Sequence, residues 1–207
     1  MLVIGAGGFA KELLEVLYQN SLESALAFFD DVTELETELF AGTFEIVRST
    51  GNAIEHFAHV DKRFILGLGN PEVRYRMFEK FTDLGGEMTG VISPHAHIGR
   101  NGNRISNGVT IMTNGVIEAD NSISEGTLVH VGAFISHDVN IGKFCEISPH
   151  SRLLGAVKIG DFCSLGTGCT ILPRVQIGND VRVGAGAVVT KDVPSGCTVT
   201  GIPAVQK

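Results

Sequence analysis

Residues 105–189 read ISNGVT IMTNGV IEADNS ISEGTL VHVGAF ISHDVN IGKFCE ISPHSR LLGAVK IGDFCS LGTGCT ILPRVQ IGNDVR VGAGAV V. Every sixth residue is Val, Ile or Leu: Ile105, Ile111, Ile117, Ile123, Val129, Ile135, Ile141, Ile147, Leu153, Ile159, Leu165, Ile171, Ile177, Val183 and Val189. A second column, four residues after each of these, is mostly small or β-branched, with Ala133, Val139, Cys145, Ser151, Val157, Cys163 and Cys169 near its middle. A period of six fits neither an α-helix nor a long flat strand. It is the mark of a parallel β-helix, in which each hexad supplies one short strand and one corner. Three hexads close one triangular coil, so residues 18 apart stack, with strands about 4.8 Å apart. The large column is expected to fill the prism and the small column to fit its corners. A β-solenoid of another cross-section is the alternative.

Outside this run the chain changes character. Leu2-Val3-Ile4, the turn Gly5-Ala6-Gly7-Gly8-Phe9-Ala10 and the spacing of Leu13, Leu14, Val16 and Leu17 predict strand, glycine turn and helix. Short strands are expected at residues 26–29, 64–68 and 88–92, and a helix from Pro71 to about Leu84, where a first-turn proline costs nothing. This is a βαβ pattern. The G-x-G-x-x-A turn, followed by Asp30-Asp31 after the second strand, resembles a dinucleotide-binding fingerprint. Glycines let a phosphate approach the backbone, and a helix N-terminus offers it free N–H groups. A carboxylate after strand two can accept from a ribose hydroxyl or a base N–H. The same glycines could serve close packing alone. The unit stops near residue 90, which leaves room for one nucleotide rather than NAD. Two domains are therefore expected, 1–90 and 91–207. One extra residue near Asn101-Gly102-Asn103 shifts the hexad phase between Ile98 and Ile105. The tail, 194–204, leaves the period and is expected to run back along the prism.

Composition narrows the function. The 207 residues carry a net charge of −7 and no basic run, which argues against nucleic acid. No apolar stretch reaches the length of a membrane span. The opening Met1-Leu2-Val3-Ile4-Gly5 enters a strand without a basic and apolar leader, so a cytoplasmic protein is expected. Three of the four cysteines fall in the small interior column and no C-x-x-C pair exists, as for buried thiols in a reducing compartment. His130 and His150 are not offset from His137 by a multiple of 18, so no stacked histidine trio forms and no metal is expected.

Chemistry is expected at the corners, because the interior is apolar. His137-Asp138 occupies one corner, and Gly155, eighteen residues on, lies directly above it. A carboxylate that fixes the imidazole tautomer makes histidine a general base. A backbone N–H one coil up could meet an oxyanion. A surface His–Asp pair with no catalytic part is the other reading.

The motifs together resemble the sugar O-acyltransferases of the NeuD and PglD type: GAGGF at 5–9, FFDD at 28–31, LGNPEVR at 68–74, ISPHAHIG at 92–99, ISHD at 135–138, GAVKIG at 155–160, and GAGAVVTKDVP at 184–194 with GIPA at 201–204. The resemblance implies a small nucleotide-binding α/β domain followed by a left-handed β-helix that forms homotrimers, with acetyl-CoA between subunits. It implies His137 as base, Asp138 as the residue that raises its basicity, and Gly155 as oxyanion donor. Gly7, Gly8 and Phe9 would cradle the nucleotide sugar, Asp30 and Asp31 hold its base, and Gly69 lie near the phosphates. Acetyl-CoA contacts would fall on Glu146, Thr167 and Ala185. This chain departs from the family's usual pattern at Glu146, often histidine, and at Phe9-Ala10, often His-Gly. The activity so implied is N-acetylation of the 4-amino group of a UDP- or dTDP-linked deoxyamino sugar. O-acetylation of sialic acid or a related sugar is the alternative, followed by a non-catalytic nucleotide-sugar-binding protein.

Overall fold

The computed structural model describes residues 1–33 and 39–207. The N-terminal part is a six-stranded sheet in the order β3-β4-β2-β1-β5-β6. In chain order these are β1 (Leu2–Ile4), helix α1 (Gly8–Gln19), β2 (Ala27–Phe29), β3 (Leu39–Phe40), β4 (Phe44–Val47), α2 (Thr50–His59), β5 (Arg63–Leu66), α3 (Pro71–Asp83) and β6 (Glu87–Met88). All pairs are parallel except β3 with β4. The sheet is larger than the pattern of the sequence suggests, because it includes β3 and β4, and the helix α2 is also additional. Ser49 caps α2 by accepting from Asn52 N, and Asn70 caps α3 by accepting from Val73 N, with Pro71 in the first turn. Strand β1 lies between β2 and β5, so the crossovers leave it in opposite directions. The crevice at such a switch point, outside the carboxyl ends of the strands, is where open α/β sheets hold ligands.

The remainder is the triangular prism, a left-handed β-helix of hexapeptide repeats. Its first face stacks Thr110–Ile111, Leu128–Val129, Glu146–Ile147, Ser164–Leu165 and Arg182–Val183. The second stacks Val116–Ile117, Phe134–Ile135, Arg152–Leu153, Thr170–Ile171 and Val188–Val189, and the third Arg104–Ile105 through Gln176–Ile177. The register is 18 residues throughout this run, as in Phe134 opposite Arg152. The extra residue near 101–103 appears as a step of 19 where Ile98 meets Ile117 and Ile92 meets Ile111. Both interior columns are buried, apart from Ile105 at the start of the run, which is partly buried. Cys145 and Cys163 do more than fill space: each thiol donates to a carbonyl of the next coil, Gly160 O and Gly178 O, at 3.0 Å.

At every corner one residue takes a left-handed backbone, from Gly102 in steps of six to Gly186. Nine of these are not glycine, Asp138 among them with φ of 60°. Such a conformation costs about 1–2 kcal/mol per residue. Here it is held by an N–H bond to the coil below, as from Asp138 N to Ala119 O at 3.1 Å. The tail corrects the expected path. It does not run back along the prism. It adds one more strand, Thr198–Thr200, parallel to Arg182–Val183 with a step of 16, and then folds over it as Val205–Gln206.

The α/β part docks on the first face. Helix α1 shares a core with Met112 and Leu128, and Tyr75 and Phe78 of α3 pack against Phe144. Between them Arg74 is fully buried. Its guanidinium donates to Leu66 O and Leu68 O at 3.1 and 2.7 Å and twice to Gly126 O at 3.1 and 2.7 Å. One side chain thus ties the end of β5 to a prism corner. Burial pushes its pKa down to about 10, opposed by the charge of Glu146. Among the described residues no helix is long and apolar enough to cross a membrane.

Candidate active site

The prism sets His137 and Asp138 side by side on the edge between the second and third faces. Both side chains are mostly exposed, 64% and 61%, and His137 Nδ1 lies 2.7 Å from Asp138 Oδ2. A neutral imidazole so paired donates its Nδ1 proton to the carboxylate and keeps Nε2 bare, the form a base needs. Gly155 sits against the ring, as its place one coil up implies: a Cβ there would stand 2.7 Å from both Cε1 and Nε2. Among the described residues the Gly155 N–H has no hydrogen-bond partner, while its carbonyl accepts from Arg174 N at 2.9 Å. A free donor and a bare ring nitrogen therefore lie together at this corner.

A cavity of about 320 Å³ opens at the carboxyl ends of β1, β2 and β5, with Gly5, Gly7, Asp30, Asp31, Leu68 and Arg76 in its wall. Helix α1 begins at Gly8 with no side-chain cap and no acid in its first turn. A Cβ on Gly7 or Gly8 would meet nothing within 4 Å. These open, uncapped N–H groups are suited to an anion. The two acids are less free than their sequence suggests. Asp30 is buried, and its Oδ1 accepts from Val32 N and Thr33 N at 3.0 and 2.8 Å. Burial pushes its carboxyl up, but the N–H bonds from Thr33 and Val32 prevail and hold it below its ordinary value. Asp31 pairs with Lys80 at 3.0 Å, and Lys80 also lies over the ring of Phe29. Phe9 faces the prism and sets its ring edge-on to His130 at 5.1 Å.

Thr167 and Ala185 stack on the edge between the first and second faces, both exposed, with Gly186 N donating to Thr167 O at 2.9 Å. That edge and the edge of His137 bound opposite sides of the second face, so one chain does not bring them together. Glu146 belongs to neither. It projects from the outer side of the first face, and its Oε1 lies 3.2 Å from where a Cβ on Gly69 would stand and 3.5 Å from His130 Nε2. The site residues therefore fall into three groups: base, nucleotide cavity with Glu146 at its exit, and stacked edge. Sequence reasoning gave no role to Arg74 or His130. Arg74 did stand in the 68–74 motif, but nothing in the hexad pattern marked His130. Among the described residues no group of three His, Cys, Asp or Glu could hold a metal ion.

No curated protein matches the chain. The family described as PglD N-terminal domain matches residues 1–81, and that described as bacterial transferase hexapeptide (six repeats) matches residues 156–191. Among solved structures, PerB from Caulobacter crescentus in complex with CoA and GDP-perosamine superposes with a TM-score of 0.90 at 29% identity, over 100% of this chain and 96% of that one. The acetyltransferase domain of PglB from Neisseria gonorrhoeae, in complex with acetyl coenzyme A, gives 0.87 at 28%, over 100% and 98%. WeeI from Acinetobacter baumannii gives 0.90 at 26%, over 100% and 98%. The chain thus joins a PglD N-terminal domain to bacterial transferase hexapeptide repeats and is similar over its full length to PerB, the PglB acetyltransferase domain and WeeI, the make-up of the NeuD/PglD-like sugar acyltransferases.

Proposed function

We propose that the protein transfers an acetyl group from acetyl-CoA to the 4-amino group of a nucleotide-linked deoxyamino sugar. The observation that carries this is the His137–Asp138 pair at 2.7 Å with Gly155 against the ring. The setting supports it: a fold alike, end to end, to a structure holding CoA and GDP-perosamine. The nucleotide lies in the cavity at the strand ends, with its phosphates toward Gly7, Gly8 and Gly69 and its base toward Asp30 and Asp31. His137 Nε2 takes a proton from the acceptor nitrogen, and Asp138 steadies the imidazolium. The nitrogen attacks the thioester carbon, and the Gly155 N–H receives the charge that gathers on oxygen. The C–S bond then breaks, the amide remains, and the CoA thiolate leaves with a proton. No covalent enzyme intermediate is needed.

Because Thr167 and Ala185 lie across the second face from His137, we assign the donor column of one copy to the base of a neighbour. The active enzyme is then a homotrimer with its sites between subunits, working in the cytoplasm where acetyl-CoA is made. The test is release of free CoA from acetyl-CoA with a panel of GDP-, UDP- and dTDP-linked 4-amino sugars, with sialic acid alongside. Turnover on a nucleotide amino sugar is expected. Turnover on sialic acid alone would replace this reading with O-acetylation.

A further inference from the structure

Glu146 carries an unusual combination of burial and vacancy. Its side chain is only 23% exposed. Yet among the described residues no N–H or O–H donates a hydrogen bond to it: His130 Nε2 approaches only to 3.5 Å, and Arg74 spends its donors on the carbonyls of Leu66, Leu68 and Gly126. Behind it, His130 is buried at 7% exposure, and its Nδ1 has no hydrogen-bond partner. Buried polar groups in folded proteins nearly always have partners, so the orphaned Nδ1 of buried His130, beside a partly exposed carboxylate that accepts no hydrogen bond among the described residues, points to a ligand. The place is specific. The carboxylate lies against Gly69, just past the end of β5, whose neighbour Leu68 lines the nucleotide cavity. The ring of Phe9, in the first turn of α1, walls the other side through His130.

What leaves that cavity beyond a diphosphate is a sugar. A carboxylate beside a diphosphate, with only the one guanidinium of Arg74 set against it, favours a ligand that also brings a donor or a positive charge. An ammonium group supplies both, and a hydroxyl supplies only one. We infer that Glu146, backed by His130, is a specificity residue on the acceptor side, which receives the amino group of the incoming sugar and selects it over a hydroxyl. This rests on the reading of the protein as a nucleotide-amino-sugar acetyltransferase. It departs from the family resemblance, which places position 146 on acetyl-CoA. The geometry separates Glu146 from the stacked pair Thr167 and Ala185: its column, with Ser164 and Arg182, lies on the face that carries the α/β domain.

The experiment compares wild type with Glu146→Gln, which keeps shape and hydrogen bonding and removes charge. KM is measured separately for acetyl-CoA and for the turned-over nucleotide 4-amino sugar, with inhibition by the matching 4-hydroxy sugar. Glu146→Gln should weaken the amino sugar by about tenfold, the difference between a charge-assisted and a neutral hydrogen bond. It should leave the KM for acetyl-CoA and the Ki of the hydroxy analogue within twofold, so the amino-over-hydroxy preference falls by about tenfold. A rise confined to the KM for acetyl-CoA would return Glu146 to the donor and overturn the inference. So would wild-type protein that binds the amino and hydroxy sugars equally, a measurement independent of any variant's folding. If wild type turned over none of the amino sugars, the functional reading itself would fall, and this inference with it.

Discussion

Replacing Gly155 with alanine isolates the catalytic corner with a single methyl group. The backbone there does not lie in the left-handed region, so alanine adds no conformational strain. The new Cβ would stand 2.7 Å from Cε1 and Nε2 of His137, where ordinary contact begins at 3.4 Å. The ring must therefore retreat by 3.4 − 2.7 = 0.7 Å or more. A shift of that order at a reacting atom costs about 10²-fold. If the ring swings away instead, the 2.7 Å bond to Asp138 breaks, and a hydrogen bond to a charged group is worth about 1.5–3 kcal/mol, or 10- to 10²-fold. Either path gives Gly155→Ala a kcat lowered about 10²-fold. Unfolding free energy should change by less than about 1 kcal/mol, because His137 is exposed and packs on no core. The assay is thiol release at saturating substrates, with thermal melts of each variant. The decisive comparison is in a His137→Ala background, itself lowered about 10²–10⁴-fold. There the added methyl has no ring to displace, and only loss of the oxyanion contact could show. Wild-type kcat in Gly155→Ala, or an undiminished further 10² in the double variant, would refute the mechanism of ring displacement.

Two further outcomes concern the scaffold. Arg74→Met should destabilise the protein by about 3–5 kcal/mol and lower Tm by roughly 10 °C, since it strands the buried carbonyls of Leu66, Leu68 and Gly126 and removes the countercharge of Glu146. Calorimetry with little loss would show that water replaces the guanidinium. The hydrogen bonds from Arg63 to Asp61, at 2.7 to 3.1 Å, prevail over burial and hold that carboxyl well below its ordinary value. A carboxyl lowered by folding stabilises fully above the unfolded value of 3.8 and stops doing so as pH falls through the folded one. Denaturant midpoints should thus fall more steeply below pH 4 in wild type than in Asp61→Asn. Parallel curves would remove Asp61 from the acid response.

The prism was legible because one rule, hydrophobic every six residues, fixes strand, corner and register together. Phe134 opposite Arg152 and Gly155 against His137 both follow from counting eighteen. Even the irregular residue near 101–103 was readable as a slip between Ile98 and Ile105. The tail was not, because its steps of 16 at Val193 and Val199 obey no repeat. In the α/β part, β4 is four residues long and α2 has a small buried face of Ala53, His56 and Phe57, so neither stood out. The company of Glu146 could not be foreseen. Gly69 and Arg74 come from one motif of the α/β part and His130 from the prism, and only docking of one domain on the other gathers them around Glu146. Within the α/β part, Asp31 meets Lys80 from 49 residues away, a pairing that no local pattern marks.

The prism is also a screw, in which angle and height are set by one count. Arg74 pins the α/β part at Gly126, and everything beyond that corner is placed by the number of residues that follow. Inserting one hexad after Gly126 would turn every later corner by a third of a revolution, carrying His137 to a different edge and Phe144 away from the Tyr75 and Phe78 that pack on it. Inserting three would keep each corner at its own edge and raise it by about 4.8 Å. Such a chain can therefore change length in whole coils with its angular layout preserved, and any smaller change after Gly126 must be undone within the same turn.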